Sequence, residues 1–273
     1  MASLNKRTLF ITGASRGIGL AIALRAAQDG ANIAVVAKTA DAHQRLPGTI
    51  YTAAESIEKA GGQALPIATD IRFEEQVASA VEHTVHRFGG IDILVNNASA
   101  IQLSNTTETE LKRFDLMLQV NVRGTFLCSR LCLPHLQKSN HAHVLTMAPP
   151  ISLEAKWFAG HAAYTVSKFG MAMMTFGMAA ELSGCGIAFN CLWPKTIIKT
   201  AALAVIPGID TSRCRIPEIV ADAAYAILTK EPTQLCGQFC IDEEILKAEG
   251  TTNFDKYAVN PKMKPIPDLF VDS

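Results

Sequence analysis

Short apolar segments alternate with segments of helical periodicity along almost the whole chain. The apolar segments are hydrophobic on both faces, which is the pattern of strands in a parallel sheet covered on both sides. Because parallel strands need long crossover connections, this alternation restricts the chain to an α/β architecture. The predicted strands are Arg7–Thr12, Asn32–Ala37, Gln63–Thr69, Ile91–Val95, His143–Met147, Ile187–Leu192 and Gln238–Ile241.

Helical periods fill the connections between these strands. The predicted helices are Ile18–Gly30, Ile50–Ala60, Phe73–Phe88, a long Glu108–Gln137 bent near Gly124 and Pro134, His161–Leu182, and Pro217–Leu228. We therefore predict a doubly wound, Rossmann-type parallel sheet of about seven strands with helices on both faces. Residues 1–273 are expected to form a single domain, with an extended C-terminal tail over residues 243–273 that packs on it.

Composition excludes several classes of function. Apolar residues make up 49% of the chain, charged residues 18%, and the formal net charge is zero. The sequence contains no basic patch of the kind that binds nucleic acid, and no apolar segment is long enough to span a membrane. The N-terminus does not resemble a signal peptide, so we expect a cytoplasmic protein. Seven cysteines without metal-ligand spacing predict buried, reduced thiols and no metal site.

A glycine-rich loop follows the first predicted strand and opens the first helix. Its sequence is TGASRGIG, with glycines at Gly13, Gly17 and Gly19. Gly13 would permit a tight turn, Gly17 would let backbone N–H groups approach a pyrophosphate, and Gly19 would let the helix pack closely on the sheet. The phosphates would then lie at the positive end of the helix. The loop predicts a dinucleotide site.

The residues after the second strand indicate which dinucleotide binds. A carboxylate usually holds the ribose 2′-hydroxyl of NAD at this position. Here the strand is followed by Lys38 and Thr39, and no acid occurs before Asp41. Lys38 and Arg16 are both cationic and would lie near a 2′-phosphate, so we predict NADP and regard NAD as the less favoured cofactor.

These features, taken in order, resemble the short-chain dehydrogenase/reductase family over Arg7 to about Asp242. The resemblance rests on TGASRGIG, Asp70 after the third strand, NNAS at Asn96–Ser99, Asn121 within LQVNVRGTF, YTVSK, NCLWPK and GQFCIDEE. The segments LPGTIYTAAESIEKAGGQALP, WPKTIIKTAA and NFDKYAVNPKMKPIPDLFVD are similar to the hydroxysteroid dehydrogenase-like group. Animal members of that group carry a sterol-carrier domain, and residues 1–273 end before one could begin.

The resemblance implies an oxidoreductase that transfers a hydride between nicotinamide and a carbonyl or secondary alcohol. Tyr164 would exchange the proton with the substrate oxygen, and Lys168, one helical turn away, would lower the Tyr164 pKa and hold the nicotinamide ribose. Asn121 would hold a water that relays the proton. Further cofactor contacts are expected from Ser15, Ile18, Asp70, Ile71, Asn97 and Thr200.

The family's active-site serine has no clear counterpart. Alignment of the fifth strand places that position at Pro149, whereas counting back from Tyr164 gives Ile151, next to Ser152. We take the usual serine to be absent. Its place at the substrate carbonyl could be taken by Ser152, by a backbone N–H or by a water. Because loss of one such donor costs roughly 10²–10³ in rate, we expect a weakened or rebuilt enzyme. The alternative is a nucleotide-binding homologue with a regulatory or scaffold role and little or no catalysis.

The substrate is expected to be a small hydrophobic carbonyl compound or alcohol. Thr196–Arg215 is the expected substrate lid, and it is apolar over Ala201–Ile206. Trp157, Phe158 and Trp193 would add apolar walls. Lys195 replaces the glycine usual after Pro194, and either contacts an anionic substrate group or points into solvent. The resemblance also implies a homodimer or homotetramer formed through the two long helices.

Overall fold

The computed structural model describes residues 3–42, 47–205 and 208–272, and its centre is one parallel sheet. The strand order is β3-β2-β1-β4-β5-β6-β7, with every pair parallel. The strands are β1 Thr8–Thr12, β2 Asn32–Ala37, β3 Gln63–Ala68, β4 Ile93–Asn96, β5 Ala142–Met147, β6 Ile187–Trp193 and β7 Phe239–Ile241. The predicted doubly wound fold is confirmed.

Eight α-helices of the described residues cover the two faces of the sheet. They are α1 Gly17–Ala27, α2 Ile50–Lys59, α3 Glu74–Phe88, α4 Leu111–Met117, α5 Gly124–Leu136, α6 Ala162–Glu181, α7 Glu218–Leu228 and α8 Asp242–Ala248. Local signals explain their ends: Thr49 and Thr52 form a capping box at the start of α2, and Gly89 ends α3 with a φ of 87°. None of the described helices is long and apolar enough to cross a membrane.

Alternate residues of β1 pack into different hydrophobic clusters. Leu9 and Ile11 belong to the cluster under α1, α2 and α7, whereas Phe10 belongs to the cluster under α3 and α5. All three side chains have no exposed surface. This burial of both faces is what the continuous apolar strands predict.

The predicted helix Glu108–Gln137 is interrupted in the structure. Between α4 and α5, residues Leu118–Arg123 form a π-helical turn that contains Asn121. Gly124 follows this turn and lies against Ile71, in the loop between β3 and α3. A Cβ at Gly124 would lie 2.6 Å from Cδ1 of Ile71, so Ile71 would have to move to admit one. The expected bend near Gly124 is therefore a π-turn immediately before it, and such turns often mark functional sites.

The C-terminal tail differs from the extended segment that the sequence predicts. It begins with α8, whose first turn carries acidic residues that suit a helix N-terminus. Beyond α8 it runs back along the protein as irregular backbone with a single turn of 3-10 helix at Asp255–Tyr257. The cysteine prediction is also only partly right, since Cys185 is exposed and Cys236 is half-buried.

Candidate active site

A cavity of about 790 Å³ lies beyond the carboxyl ends of the strands. In open α/β sheets this edge, where the strand order reverses, is the usual ligand site. The lining includes most of the predicted site residues: Gly13, Ser15, Arg16, Gly17, Ile18, Lys38, Asp70, Ile71, Asn97, Tyr164, Lys168 and Thr200. Gly19, Asn121 and Ser152 are not among the lining residues.

The glycine loop is tightly held beneath one end of this cavity. Gly13 and Gly17 have φ angles of 68° and 59°, which favour glycine. Gly19 is required by space, because a Cβ there would lie 2.8 Å from the Gly13 carbonyl oxygen. Arg16, which precedes α1, places no side-chain cap on the first turn of this helix. The first N–H groups of α1 are therefore available to a phosphate.

Asn97 fixes the loop from the neighbouring strand. Its Nδ2 donates to the carbonyl oxygens of Thr12 at 2.9 Å and Gly13 at 3.2 Å. Its backbone N–H donates to the Thr12 hydroxyl at 3.0 Å. The structure thus places Asn97 at the cavity as a support of the glycine turn. The loop and its support are suited to hold a dinucleotide pyrophosphate.

The charged residues at the far end of the cavity have partners of their own. Arg16 donates to the carbonyl oxygens of Pro47 at 3.0 Å and Gly48 at 2.5 Å. Asp70 accepts from the Arg72 guanidinium, with one contact of 2.6 Å, and this hydrogen bond lowers the Asp70 pKa. Lys38 is exposed and lines the cavity, and it forms no hydrogen bond or ion pair with another described residue. Its charge is available to an anionic ligand.

Tyr164 and Lys168 lie on the cavity-facing side of α6 and are both nearly inaccessible. Their exposed fractions are 5% and 2%. Lys168 Nζ donates to the Met147 carbonyl oxygen at 2.7 Å and lies 5.1 Å from the Trp193 ring centroid. The phenol ring of Tyr164 stacks on Phe270, with centroids 6.2 Å apart. Packing thus fixes both side chains at the cavity wall.

Burial shifts both pKa values in the direction of the neutral forms. It lowers the pKa of Lys168 to about 7, and the negative charge of Asp268 opposes that shift. Burial and Asp268 together raise the pKa of Tyr164. The expected lowering of the Tyr164 pKa by Lys168 is not found in this structure. The reason is that desolvation of the phenol dominates, while Lys168 directs its Nζ to Met147.

Asn121 is placed just behind the cavity by the π-helical turn. Its Oδ1 accepts from Ala100 N–H at 2.7 Å, and its Nδ2 donates to Ala100 O at 3.0 Å and Ser167 Oγ at 2.9 Å. The side chain is fully buried. It ties the segment after β4 to α6, and so holds the cavity wall beside Tyr164.

Ser152 is not brought to the substrate end of the site. Its hydroxyl donates to the carboxylate of Glu154 at 3.4 Å and accepts from Glu154 N–H at 3.3 Å. β5 ends at Met147, which lines the cavity, and Ala148 follows with no exposed surface. The idea that Ser152 substitutes for the missing serine is therefore not supported by its position.

Other expectations about the cavity wall have mixed outcomes. Trp157 and Trp193 line it, and Phe158 packs in the aromatic cluster behind it. Of the expected lid, Ala201, Ala202 and Leu203 line the cavity, whereas residues 206 and 207 lie outside the described residues. Lys195 is outside the lining, and its Nζ lies 3.7 Å from the Glu243 carboxylate. Residues 43–46, between β2 and α2, likewise lie outside the described residues.

Three cavity residues come from the C-terminal tail, where sequence reasoning placed none. They are Pro267, Asp268 and Leu269. Phe270 follows and is buried in contact with Tyr164, Trp157 and Trp193. The only sequence signal was the likeness of the tail to one group of homologues. No local pattern shows that a residue near the C-terminus returns to α6.

The fold and the cavity define a dinucleotide-binding α/β protein. The glycine loop at the head of α1 and the buried Tyr-Lys pair on α6 share one cleft, as the class requires. The model of the short chain dehydrogenase family matches residues 7–207. The chain belongs to this family of oxidoreductases, which use a nicotinamide cofactor.

Close relatives match almost the whole of this chain. Hydroxysteroid dehydrogenase-like protein 2 of Danio rerio is 59% identical over 266 residues, covering 97% of this chain and 64% of that protein. The Homo sapiens protein of that name is 57% identical, with 97% and 63% covered. The chain therefore spans less than two thirds of the length of these curated relatives.

Solved structures agree with the fold. A structure from Xanthomonas campestris is 55% identical and has a TM-score of 0.97, with 99% of this chain and 100% of that one covered. A short chain dehydrogenase from Mycobacterium thermoresistibile is 50% identical with a TM-score of 0.94, covering 99% and 97%. A short chain dehydrogenase from Mycobacterium paratuberculosis, bound to NAD, shares the fold at 21% identity, 90% and 99% coverage and a TM-score of 0.74.

Proposed function

We propose that the protein is an NADP(H)-dependent oxidoreductase that interconverts a carbonyl group and a secondary alcohol on a hydrophobic small molecule. The observation that carries this proposal is the position of Tyr164 and Lys168. Both are buried in the protein, yet both line the cavity that the glycine loop and Trp193 also line. A proton-exchanging group and a cation are thus held beside a dinucleotide site.

The nicotinamide supplies or accepts the hydride when it is bound. Tyr164 exchanges the proton with the substrate oxygen, and its raised pKa keeps the phenol protonated and able to donate at neutral pH. Lys168 titrates near neutrality, at about 7, so that a bound anionic group or a developing alkoxide favours its charged form. The pair is suited to carbonyl reduction.

Asn121 has a positioning role in this proposal. Its amide is hydrogen-bonded to Ala100 at the cavity wall and to Ser167 on α6, so it fixes the position of the wall relative to α6. A bound water beside this wall would complete the expected proton relay. The relay itself stays a prediction.

The preference for NADP rests on charge at the adenosine end. Among the described lining residues the acids are Asp70 and Asp268, and Asp70 is engaged by Arg72. Lys38 is an available cation there, and Arg16 lies close by. A 2′-phosphate would be attracted, and no lining carboxylate after β2 is placed to hold a 2′-hydroxyl.

The apolar wall supports a hydrophobic substrate. Trp157, Trp193, Ile101, Leu103 and Leu269 all line the cavity. The relatives carry a hydroxysteroid dehydrogenase-like name, which fits a bulky apolar alcohol or ketone. Pockets of this kind orient a ligand with a few polar groups on largely hydrophobic walls.

A homodimer or homotetramer completes the proposal. Four large apolar side chains are about half exposed on α5 and α6: Phe126, Val166, Met173 and Phe176. Exposed apolar patches of this kind often mark contacts between subunits. The cytoplasmic location stays a prediction.

The test is NADPH oxidation with a panel of apolar aldehydes, ketones and diketones. Turnover in the wild type, with weaker turnover from NADH, supports the proposal. Tyr51→Phe is the control for substitution of Tyr164, since Tyr51 is 54% exposed and lies outside the cavity. Binding of NADPH without turnover of any carbonyl compound would instead support the non-catalytic alternative, which the comparisons do not favour.

A further inference from the structure

The C-terminal tail is built into the active-site cavity. Asp268 N–H donates to Lys195 O at 3.0 Å, and Ile197 N–H donates to Ile266 O at 3.0 Å. Trp193 Nε1 donates to Leu269 O at 2.8 Å. The tail is therefore hydrogen-bonded to the end of β6 and to the segment after it, on both sides of Asp268. These bonds fix the backbone that carries the Asp268 carboxyl group.

Phe270 packs the tail against the aromatic side chains of the cavity wall. Its ring lies 5.3 Å from Phe169 and 5.8 Å from Trp193, and it stacks on Tyr164. Its backbone has a φ of 71°, which costs a non-glycine residue about 1–2 kcal/mol. Such a conformation persists only where the surrounding contacts determine it. The tail is thus a fixed wall of the cavity.

The Asp268 side chain lines the same cavity as the proton-exchanging pair, Tyr164 and Lys168. One oxygen accepts from Leu269 N–H at 2.7 Å, and the other accepts no hydrogen bond from the described residues. Lys168, Tyr164, Asp242 and the Cys214 thiol are the titratable groups that it influences or that influence it. Burial, with a contribution from Asp242, raises its pKa to about 7, and Lys168 opposes this shift.

The end of β5 offers no hydroxyl group to the substrate. Met147 lines the cavity there, the Thr146 hydroxyl accepts from Thr175 at 2.8 Å, and Ser152 is engaged by Glu154. The end of β5 therefore supplies no second donor to a carbonyl oxygen bound beside Tyr164. The Ser99 hydroxyl also lines the cavity, but it donates to Ala100 O at 3.4 Å and accepts from Lys168 Nζ at 3.5 Å. Asp268 lines this cavity together with Tyr164 and Lys168, and its charge influences the pKa values of both.

We propose that Asp268 is a further catalytic residue, which in its protonated form donates a hydrogen bond to the substrate carbonyl oxygen beside Tyr164. This inference rests on the proposed function. Asp268 keeps its proton throughout: the hydride comes from the cofactor and the transferred proton from Tyr164. A buried carboxylic acid held neutral can serve as such a donor, whereas its ionised form would repel the developing alkoxide.

Two substitutions and one control test the proposal. Asp268→Asn keeps a hydrogen-bond donor that cannot ionise, so it should retain most of the activity, and the decline of kcat/KM that remains above neutral pH is then that of Lys168. Asp268→Leu removes the donor and should lower kcat by roughly 10²-fold while the Kd for NADPH stays unchanged. Asp272→Asn alters an exposed carboxylate of the same tail that pairs with Lys156, and should resemble the wild type.

A readout without cofactor completes the test. In protein with ¹³C-labelled aspartate, the carboxyl signal lost in Asp268→Asn should titrate near pH 7. Titration near the ordinary value of about 4, or an unchanged kcat and pH profile in Asp268→Leu, overturns the inference while wild-type turnover leaves the proposed function intact. NADPH binding without any wild-type turnover overturns both. Thermal unfolding of Asp268→Asn separates a folding defect from a catalytic one.

Discussion

Replacing Gly19 by alanine tests the cofactor loop through a single methyl group. The added Cβ would lie 2.5 Å from Asn97 Nδ2 and 2.8 Å from the Gly13 carbonyl oxygen, so one of the two must move. Overpacking of this kind costs about 1–3 kcal/mol. Displacement of Asn97 would also break its hydrogen bond to Gly13, which contributes about 1 kcal/mol. The higher helix propensity of alanine offsets about 1 kcal/mol of this destabilisation.

We therefore expect Gly19→Ala to lower the free energy of unfolding by about 1–3 kcal/mol, or the melting temperature by roughly 2–10 °C. Because the displaced groups form the phosphate cradle, the Kd for NADPH should rise by about tenfold or more. Thermal unfolding by circular dichroism and fluorescence titration measure the two effects.

The matched control is Gly177→Ala in α6. A Cβ there meets nothing within 4 Å, so this change should stabilise the protein by about 0.5–1 kcal/mol and leave NADPH binding unchanged. Wild-type stability and equal NADPH binding in Gly19→Ala would contradict the close packing of the loop around Gly19.

Three further predictions concern charge. Lys38→Ala should raise the Kd for NADPH by about tenfold and leave that for NADH unchanged in fluorescence titrations, whereas equal changes would exclude a 2′-phosphate contact. Arg215→Met should lower the free energy of unfolding by about 3 kcal/mol in urea, because it leaves the Glu243 carboxylate buried without its closest partner; a loss below about 1 kcal/mol would contradict this. Burial lowers the pKa of His143 to about 4, whereas in the unfolded chain it is 6.5. The unfolded chain therefore takes up the proton first, and the free energy of unfolding falls as the pH decreases from 6.5 toward 4. Because the raised pKa values of Asp242 and Asp268 act in the opposite direction over that range, the test compares wild type with His143→Gln, which should lose about 3 kcal/mol less between pH 7 and 4.

Local patterns predict the scaffold of this protein well. β1, the glycine loop and α1 follow from an apolar strand, three spaced glycines and a helical period, all within residues 7–30. Tyr164 and Lys168 share a helix face because of their spacing, and they reach the cavity as expected. Each of these features depends on interactions close in sequence, or on the regular geometry of a parallel sheet.

The features that the sequence did not reveal depend on distant contacts. The sequence predicts that Asn121 lies on an ordinary helix, whereas in the structure it lies on a π-turn and its side chain bonds to Ala100 and Ser167. Asp268 reaches the site through backbone hydrogen bonds to the segment after β6. No periodicity or motif encodes such pairings. The same limit applies to Ser152, since the path of the loop after β5 is set by its surroundings.

The substitution Tyr164→Phe tests the central claim most directly, with NADPH oxidation followed across a panel of apolar carbonyl compounds. The account predicts turnover in the wild type and in Tyr51→Phe. In Tyr164→Phe it predicts a loss of about 10²-fold or more in kcat with an unchanged Kd for NADPH, because only the proton donor is removed. Equal turnover by Tyr164→Phe and the wild type would contradict the assignment of Tyr164 as the proton-exchanging group.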